Sequence, residues 1–225
     1  MLNEKDLMKK SVGEEAVTFV ENGMKLGLGS GSTVYWMIRK LGERIKEEGI
    51  EVEGIPSSEQ TAKWAREFGV PLTDFSAVKE LDITIDGADE VDENLQLIKG
   101  GGAALFREKI IAQAAKKLII IVDSSKIVKT LGSYPLPVEV LPFAWERTAS
   151  EISKLGCDPE LRMKDGKPLI TDNGNYILDC PFGTIGSPRE LDGKLKTIAG
   201  VIETGLFVDL TSQVILSDGE NIKII

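Results

Sequence analysis

The chain has 225 residues, of which 42% are apolar and 28% charged, enough to bury a sizeable core and too apolar for global disorder. Its net charge of −9 argues against a nucleic-acid or anionic-membrane partner, since both favour a basic surface, and still allows an anionic small molecule held by local cations. The complete lack of histidine excludes histidine triads, HExxH zinc sites and histidine general bases, so acid–base chemistry falls to a carboxylate or lysine, with tyrosine or cysteine as weaker choices.

The first ten residues mix charges without an apolar stretch and do not read as a signal peptide. Asn3 is placed to cap a helix running to about Glu21, with Leu7, Met8, Val12, Ala16, Phe19 and Val20 as its apolar stripe and Gly23 as its stop. A strand over 24–28 leads into the glycine-rich turn GLGSGST at 27–33. A helix follows with Val34, Met37, Ile38, Leu41 and Ile45 on one face. Then come a strand at 52–55, a helix at 59–68, a buried strand at 81–85, a helix at 103–116 and a strand at 118–122. This alternation predicts an α/β fold with a Rossmann-like, mostly parallel sheet covered on both faces.

The rhythm changes near Leu131, where Tyr134-Pro135-Leu136-Pro137 breaks the pattern. A strand at 138–141, a helix at 145–155, two short strands around the turn TDNGN at 171–175, a helix at 188–197 and a strand at 201–208 read as a second, smaller α+β domain of ferredoxin-like type. The expected division is 1–131 plus 205–225 for the sheet domain and 132–204 for the small one, with two strands in 213–225 returning to the main sheet. Cys157 and Cys180 form no CxxC and read as small apolar fillers in a reducing cytoplasm. No apolar run has the length needed to span a bilayer.

Three constellations carry chemistry. In the turn 27–33, glycines between a strand and a helix let the backbone approach a ligand, and the helix-start N–H groups with Ser30, Ser32 and Thr33 suit an anion. It is neither a Walker A loop, lacking the lysine, nor the GxGxxG fingerprint, having Ser32 where glycine is required. An ordinary tight strand–helix connection explains it equally well. The second constellation, Asp86-Gly87-Ala88-Asp89, follows a strand at the sheet edge where ligands bind. Its two carboxylates suit sugar hydroxyls or a divalent cation. Glu90, Asp92 and Glu93 beside it read as a solvated acidic turn. The third, Lys99-Gly100-Gly101-Gly102, offers a cation and backbone N–H groups to an anion or oxyanion ahead of a helix that carries Arg107, Glu108 and Lys109. Glu108 falls on that helix's second turn.

These segments resemble the type A ribose-5-phosphate isomerases. The resemblance is carried by GSGSTV at 29–34, DGADEVD at 86–92, LIKGGGAAL at 97–105, REKI at 107–110, DSSK at 123–126, PLPVEVLP at 135–142 and TDNGN at 171–175, in order along nearly the whole chain. Residues 157–167 are the least family-like. The resemblance implies interconversion of D-ribose 5-phosphate and D-ribulose 5-phosphate through an enediolate, in the non-oxidative pentose phosphate pathway. It also implies no metal or cofactor, a sugar phosphate as ligand, a cytoplasmic location and a homodimer or homotetramer. Position by position, it makes Glu108 the general base and Asp86, Asp89 and Lys99 the other catalytic polar residues. Ser30, Gly31, Ser32, Thr33, Gly87, Ala88, Gly100, Gly101, Gly102 and Lys126 become substrate-binding positions, and Lys9 a phosphate contact. Two rivals share such a sheet: a sugar-phosphate sensor domain and a coenzyme A transferase relative. Ketose formation from ribose 5-phosphate separates all three.

Overall fold

The computed structural model describes residues 2–225. Contacts divide the chain into two units, one made of Met1–Ala88, Arg107–Lys126 and Leu210–Ile225, the other of Asp89–Phe106 and Ile127–Asp209. The segment 89–106, expected with the large sheet, belongs to the second unit. The reason is strand pairing: β4 (Glu90–Val91) and β5 (Leu97–Ile98) form a three-stranded antiparallel sheet with β13 (Leu206–Phe207).

In the first unit, α1 (Glu4–Val17) begins where the Asn3 side chain accepts the Asp6 N–H at 2.8 Å. The strands β1 (Lys25–Leu28), β2 (Glu53–Pro56), β3 (Ile83–Asp86), β6 (Leu118–Asp123), β14 (Gln213–Ser217) and β15 (Ile222–Ile224) make one sheet in the order β15-β14-β6-β3-β1-β2. All neighbours are parallel except the edge strand β15, so the two C-terminal strands do return to this sheet. β6 is apolar up to its last residue, and both β3 and β6 are buried throughout, as a sheet covered on both faces requires. The helices α2 (Ser32–Glu48) and α3 (Glu59–Phe68) present Val34, Met37, Ile38, Leu41 and Ala65 to a core shared with Leu26, Leu28, Ile83, Ile85 and Ile119.

The second unit contains β7 (Leu136–Val140), α5 (Trp145–Ser153), β8 (Glu160–Leu161), β9 (Met163–Lys164), β10 (Lys167–Pro168), β11 (Tyr176–Cys180), α6 (Pro188–Lys196) and β12 (Val201–Thr204). Its main sheet runs β12-β7-β11-β8, all antiparallel. With the hairpin β9–β10 set aside, the chain order is strand–helix–strand–strand–helix–strand, with the fourth strand beside the first, which is the ferredoxin-like arrangement.

Three expectations change in detail. The strand after the proline break starts earlier and runs through Pro137, whose carbonyl accepts the Gly205 N–H at 2.7 Å. The strand at 201–208 is two strands in two sheets, parted at Gly205. A Cβ there would lie 2.3 Å from the Lys99 carbonyl oxygen, so the crossing needs glycine. The strands flanking TDNGN do not pair with each other: β10 pairs with β9, and β11 with β7 and β8. That turn is instead tied down by the buried Glu139 carboxylate, which accepts hydrogen bonds from Thr171 Oγ1, Asn173 Nδ2 and Asn175 Nδ2. Cys157 and Cys180 are free thiols: Cys180 is buried in this unit's core and donates to the Leu178 carbonyl, and the half-buried Cys157 packs against that core.

Candidate active site

The first unit collects its candidate residues beyond the carboxyl ends of neighbouring parallel strands, where such sheets bind ligands. β1 ends at Leu28 and feeds Gly29 into the turn, β3 ends at Asp86, and β6 ends at Asp123 and leads into the 3-10 turn Ser124–Lys126. Asp86 is only 1% exposed. Its Oδ1 accepts the Ser30 N–H at 3.0 Å and the Gly87 N–H at 2.7 Å, which joins the two loops. Gly29 permits this approach, because a Cβ there would sit 2.2 Å from Asp86 Oδ1.

Gly31 is the N-cap of α2 at φ 101°, a conformation that favours glycine, and it offers no capping side chain. The first-turn N–H groups at Ser32 and Thr33 are therefore oriented for an anion. Lys9 lies on α1, one turn before Gly13. A Cβ on Gly13 would lie 2.9 Å from Met37 N and 3.2 Å from the Thr33 carbonyl oxygen, and Arg44 Nη1 donates to the carbonyls of Val17 and Val20. These contacts run the two helices in the same direction, so Lys9 falls alongside the N-terminal end of α2.

The Ser30 hydroxyl sits in a cluster of hydroxyls. It bonds to Ser57 Oγ at 2.7 Å, Ser58 Oγ at 2.9 Å and Thr61 Oγ1 at 3.2 Å, and Thr61 Oγ1 donates to the Gly29 carbonyl at 2.8 Å. Ser57, Ser58 and Thr61 belong to none of the sequence motifs. The available signal was their place just beyond β2, the parallel neighbour of β1.

Glu108 is 5% exposed and stands in the first turn of α4 (Leu105–Gln113), not the second. The helix starts later than the sequence suggests because Ala103 has φ 60° and donates its N–H to the Gly100 carbonyl, closing a turn. Arg107 is paired with Glu59 at 3.1 Å, and Lys109 is buried.

The second unit holds the other candidates. Lys99 is 3% exposed, its N–H donates to the Gly205 carbonyl, and its ammonium lies 5.4 Å from the centre of the Phe207 ring. Asp89 Oδ2 accepts the Gly101 N–H at 2.8 Å. That N–H is thus taken up within the loop, which leaves Gly100 and Gly102 as the residues whose N–H groups fit the expected role. Tyr134 stands at the same spot: a Cβ on Gly101 would lie 2.9 Å from its hydroxyl oxygen and 2.7 Å from Asp89 Oδ1. Burial, and then the Asp89 charge, hold the Tyr134 phenol above its ordinary range, so it stays protonated and able to donate.

The acidic turn is not solvated at Glu90 or Asp92. Both are buried, Glu90 accepting the N–H groups of Gly132 and Tyr134 and Asp92 those of Asn94 and Gln96. Unpaired backbone donors in a buried turn require acceptors, and these carboxylates supply them. Only Glu93 is exposed as expected.

A parallel sheet with an anion-type turn and buried carboxylates at its strand ends, joined to a ferredoxin-like unit carrying a lysine–triglycine loop, defines an α/β protein built for a small anionic ligand. The model of the ribose 5-phosphate isomerase A (phosphoriboisomerase A) family matches residues 53–221, and the chain belongs to that family. Ribose-5-phosphate isomerase A 1 of Oceanobacillus iheyensis is 68% identical over 223 residues, 99% of this chain and 100% of that one. Among solved structures, the ribose 5-phosphate isomerase A of Methanocaldococcus jannaschii is 40% identical with a TM-score of 0.94, covering 99% of each chain. A D-ribose-5-phosphate isomerase in complex with phospho-erythronic acid is 42% identical with a TM-score of 0.96, covering 100% of this chain and 99% of that one. Among the described residues no helix is long and apolar enough to cross a membrane.

Proposed function

We propose that this chain interconverts D-ribose 5-phosphate and D-ribulose 5-phosphate, with Glu108 as the base that carries the proton between C2 and C1. The observation that carries the assignment of Glu108 is its setting, a nearly buried carboxylate in the first turn of a helix, directly after the lysine–triglycine loop in sequence. From the aldose side, the carboxylate takes the C2 proton, the electron pair forms the enediolate, and the same carboxylate returns the proton at C1. Lys99, with the N–H groups of Gly100 and Gly102, stabilises the oxyanion as charge develops. Asp86, assisted by Lys99, serves ring opening and proton transfer between the two oxygens. Asp89 orients hydroxyls while holding Gly101, and Gly87 and Ala88 line the sugar.

The phosphate is assigned to the N–H and hydroxyl groups of Ser32 and Thr33 behind Gly31, with Lys9 and Lys126 as cations. Ser30 shapes the turn through its hydroxyl cluster. The solved relative's complex with phospho-erythronic acid, a phosphorylated sugar acid, supports a sugar phosphate as ligand. No metal or cofactor enters this scheme, because a lysine and oriented amides carry the enediolate charge. We further place the protein in the cytoplasm, in the non-oxidative pentose phosphate pathway, as a homodimer or homotetramer, the last checked by light scattering. The deciding experiment incubates the protein with ribose 5-phosphate after dialysis against a chelator and measures ketose formation. Undiminished turnover is expected. No turnover with retained binding would favour a sensor, and neither would favour a transferase relative.

A further inference from the structure

The segment 157–167 contains Arg162, which reaches the glycine loop. Its backbone is pinned on both sides, the N–H donating to the Ile177 carbonyl and the carbonyl accepting the Leu169 N–H, each at 2.9 Å. Its side chain is 12% exposed. Nε and Nη2 form a two-pronged pair with the Asp179 carboxylate, and Nη1 donates to the carbonyls of Gly100 at 2.7 Å and Gly101 at 3.2 Å. One planar cation thus spans a carboxylate and two consecutive carbonyls, which a lysine ammonium cannot do.

A peptide unit is planar, with its C=O and N–H pointing in opposite directions. Arg162 holds the Gly100 carbonyl and Asp89 holds the Gly101 N–H, so that plane is fixed at both ends. By holding the Gly101 carbonyl, Arg162 also turns the Gly102 N–H away from itself and, through its charge, strengthens that N–H as a donor. We propose that Arg162, braced by Asp179, is a positioning residue for the isomerisation: it sets the two peptide planes that aim Asp89 and the Gly102 N–H. This inference rests on the assignment of Asp89 and the loop Lys99–Gly102 to the sugar.

The test compares Arg162→Met, Arg162→Lys, Arg162→Ala, Asp89→Asn and the double variant Arg162→Met/Asp89→Asn, each checked for folding by circular dichroism and thermal melting. Arg162→Met is expected to lower kcat about 10- to 100-fold, as small misplacements of catalytic groups do, with KM for ribose 5-phosphate changed less than about threefold. Arg162→Lys recovers little of this. Millimolar guanidinium restores part of the turnover of Arg162→Ala and none of that of Asp89→Asn. The double variant loses scarcely more than Asp89→Asn alone, because the two residues fix one peptide plane. Wild-type kcat in Arg162→Met, beside an impaired Asp89→Asn, overturns the role of Arg162 alone. A loss that tracks the unfolded fraction and resists guanidinium also overturns it. Full turnover in Asp89→Asn overturns the loop assignment itself, and the inference with it.

Discussion

The carboxylate of Asp86 accepts the backbone N–H of Ser30 at 3.0 Å, so the last residue of β3 fixes the turn that opens α2. Gly29 is the residue that makes the approach possible. Gly29→Ala would put a methyl group 2.2 Å from Asp86 Oδ1, and relief requires moving either the carboxylate or the turn. The expected outcome is a loss of about 1–3 kcal/mol in stability, typical of overpacking, together with at least a tenfold drop in kcat/KM. Urea unfolding and steady-state kinetics on the same preparation check both. Unchanged kinetics would detach the Asp86–Ser30 pair from catalysis.

Glu108→Gln keeps the shape of the side chain and removes its basicity. Turnover is expected to fall by about two to four decades, the usual range for a general base, while the substrate still binds. Loss of solvent-proton exchange at C2 should accompany it, measured by NMR in deuterated water. A variant that turns over near the wild-type rate removes Glu108 from the role.

Ser32→Ala and Thr33→Ala delete hydroxyl donors at the start of α2 and leave the backbone N–H groups in place. Each should raise KM for ribose 5-phosphate about 3- to 30-fold, the worth of one or two hydrogen bonds to a charged group, with little change in kcat. Inorganic phosphate should weaken as a competitive inhibitor in parallel. A fall in kcat at constant KM contradicts anchoring by this turn.

Much of the fold can be read along the chain because its periodicities agree with its caps. α3 has the predicted bounds, since Ser58 caps its start and Gly69, at φ 75°, ends it. The misreadings have local causes. Ala103 adopts a left-handed conformation that nothing in its residue type announces, and this delays α4 and moves Glu108 into the first turn. The Asp165-Gly166 pair, both with positive φ, joins β9 to β10 as a hairpin turn, and Asp-Gly is the residue type such a turn favours. The candidate residues on the motifs are legible as types. The Ser30–Ser57–Ser58–Thr61 cluster and the reach of Arg162 to Gly100 are not, because each joins segments about 30 to 60 residues apart through side chains.

Glu90 shows the same limit and gives a stability prediction. In sequence it is one more acid in an acidic run; in the structure its two oxygens accept the N–H groups of Gly132 and Tyr134 at 2.7 and 2.6 Å. Glu90→Gln turns one acceptor into a donor facing an N–H. The buried mismatch should cost about 1–3 kcal/mol in urea unfolding, the usual cost of an unsatisfied buried group. An equally stable variant would mean that the loop at 132–134 repairs itself without the carboxylate.

Asp82 links stability to pH at the N-terminal ends of two inner strands of the large sheet, β1 and β3. Its carboxylate accepts the Lys25 N–H at 2.8 Å and the Lys116 ammonium at 2.9 Å. The Lys25 backbone bond first, and then Lys116, hold its carboxyl below the ordinary range. A lowered folded-state pKa means that the unfolded chain takes up the proton first as pH falls. The stabilisation is therefore complete above the unfolded value of about 4 and disappears as pH drops through the folded one. Asp82→Asn should be less stable than the parent by a constant amount from neutral pH down to about 5, and the gap should close on further acidification. Chemical unfolding of both proteins between neutral pH and about 3 measures the gap. A difference that persists unchanged through that range would show that the Asp82 charge contributes nothing and that only the shape of its acceptor matters.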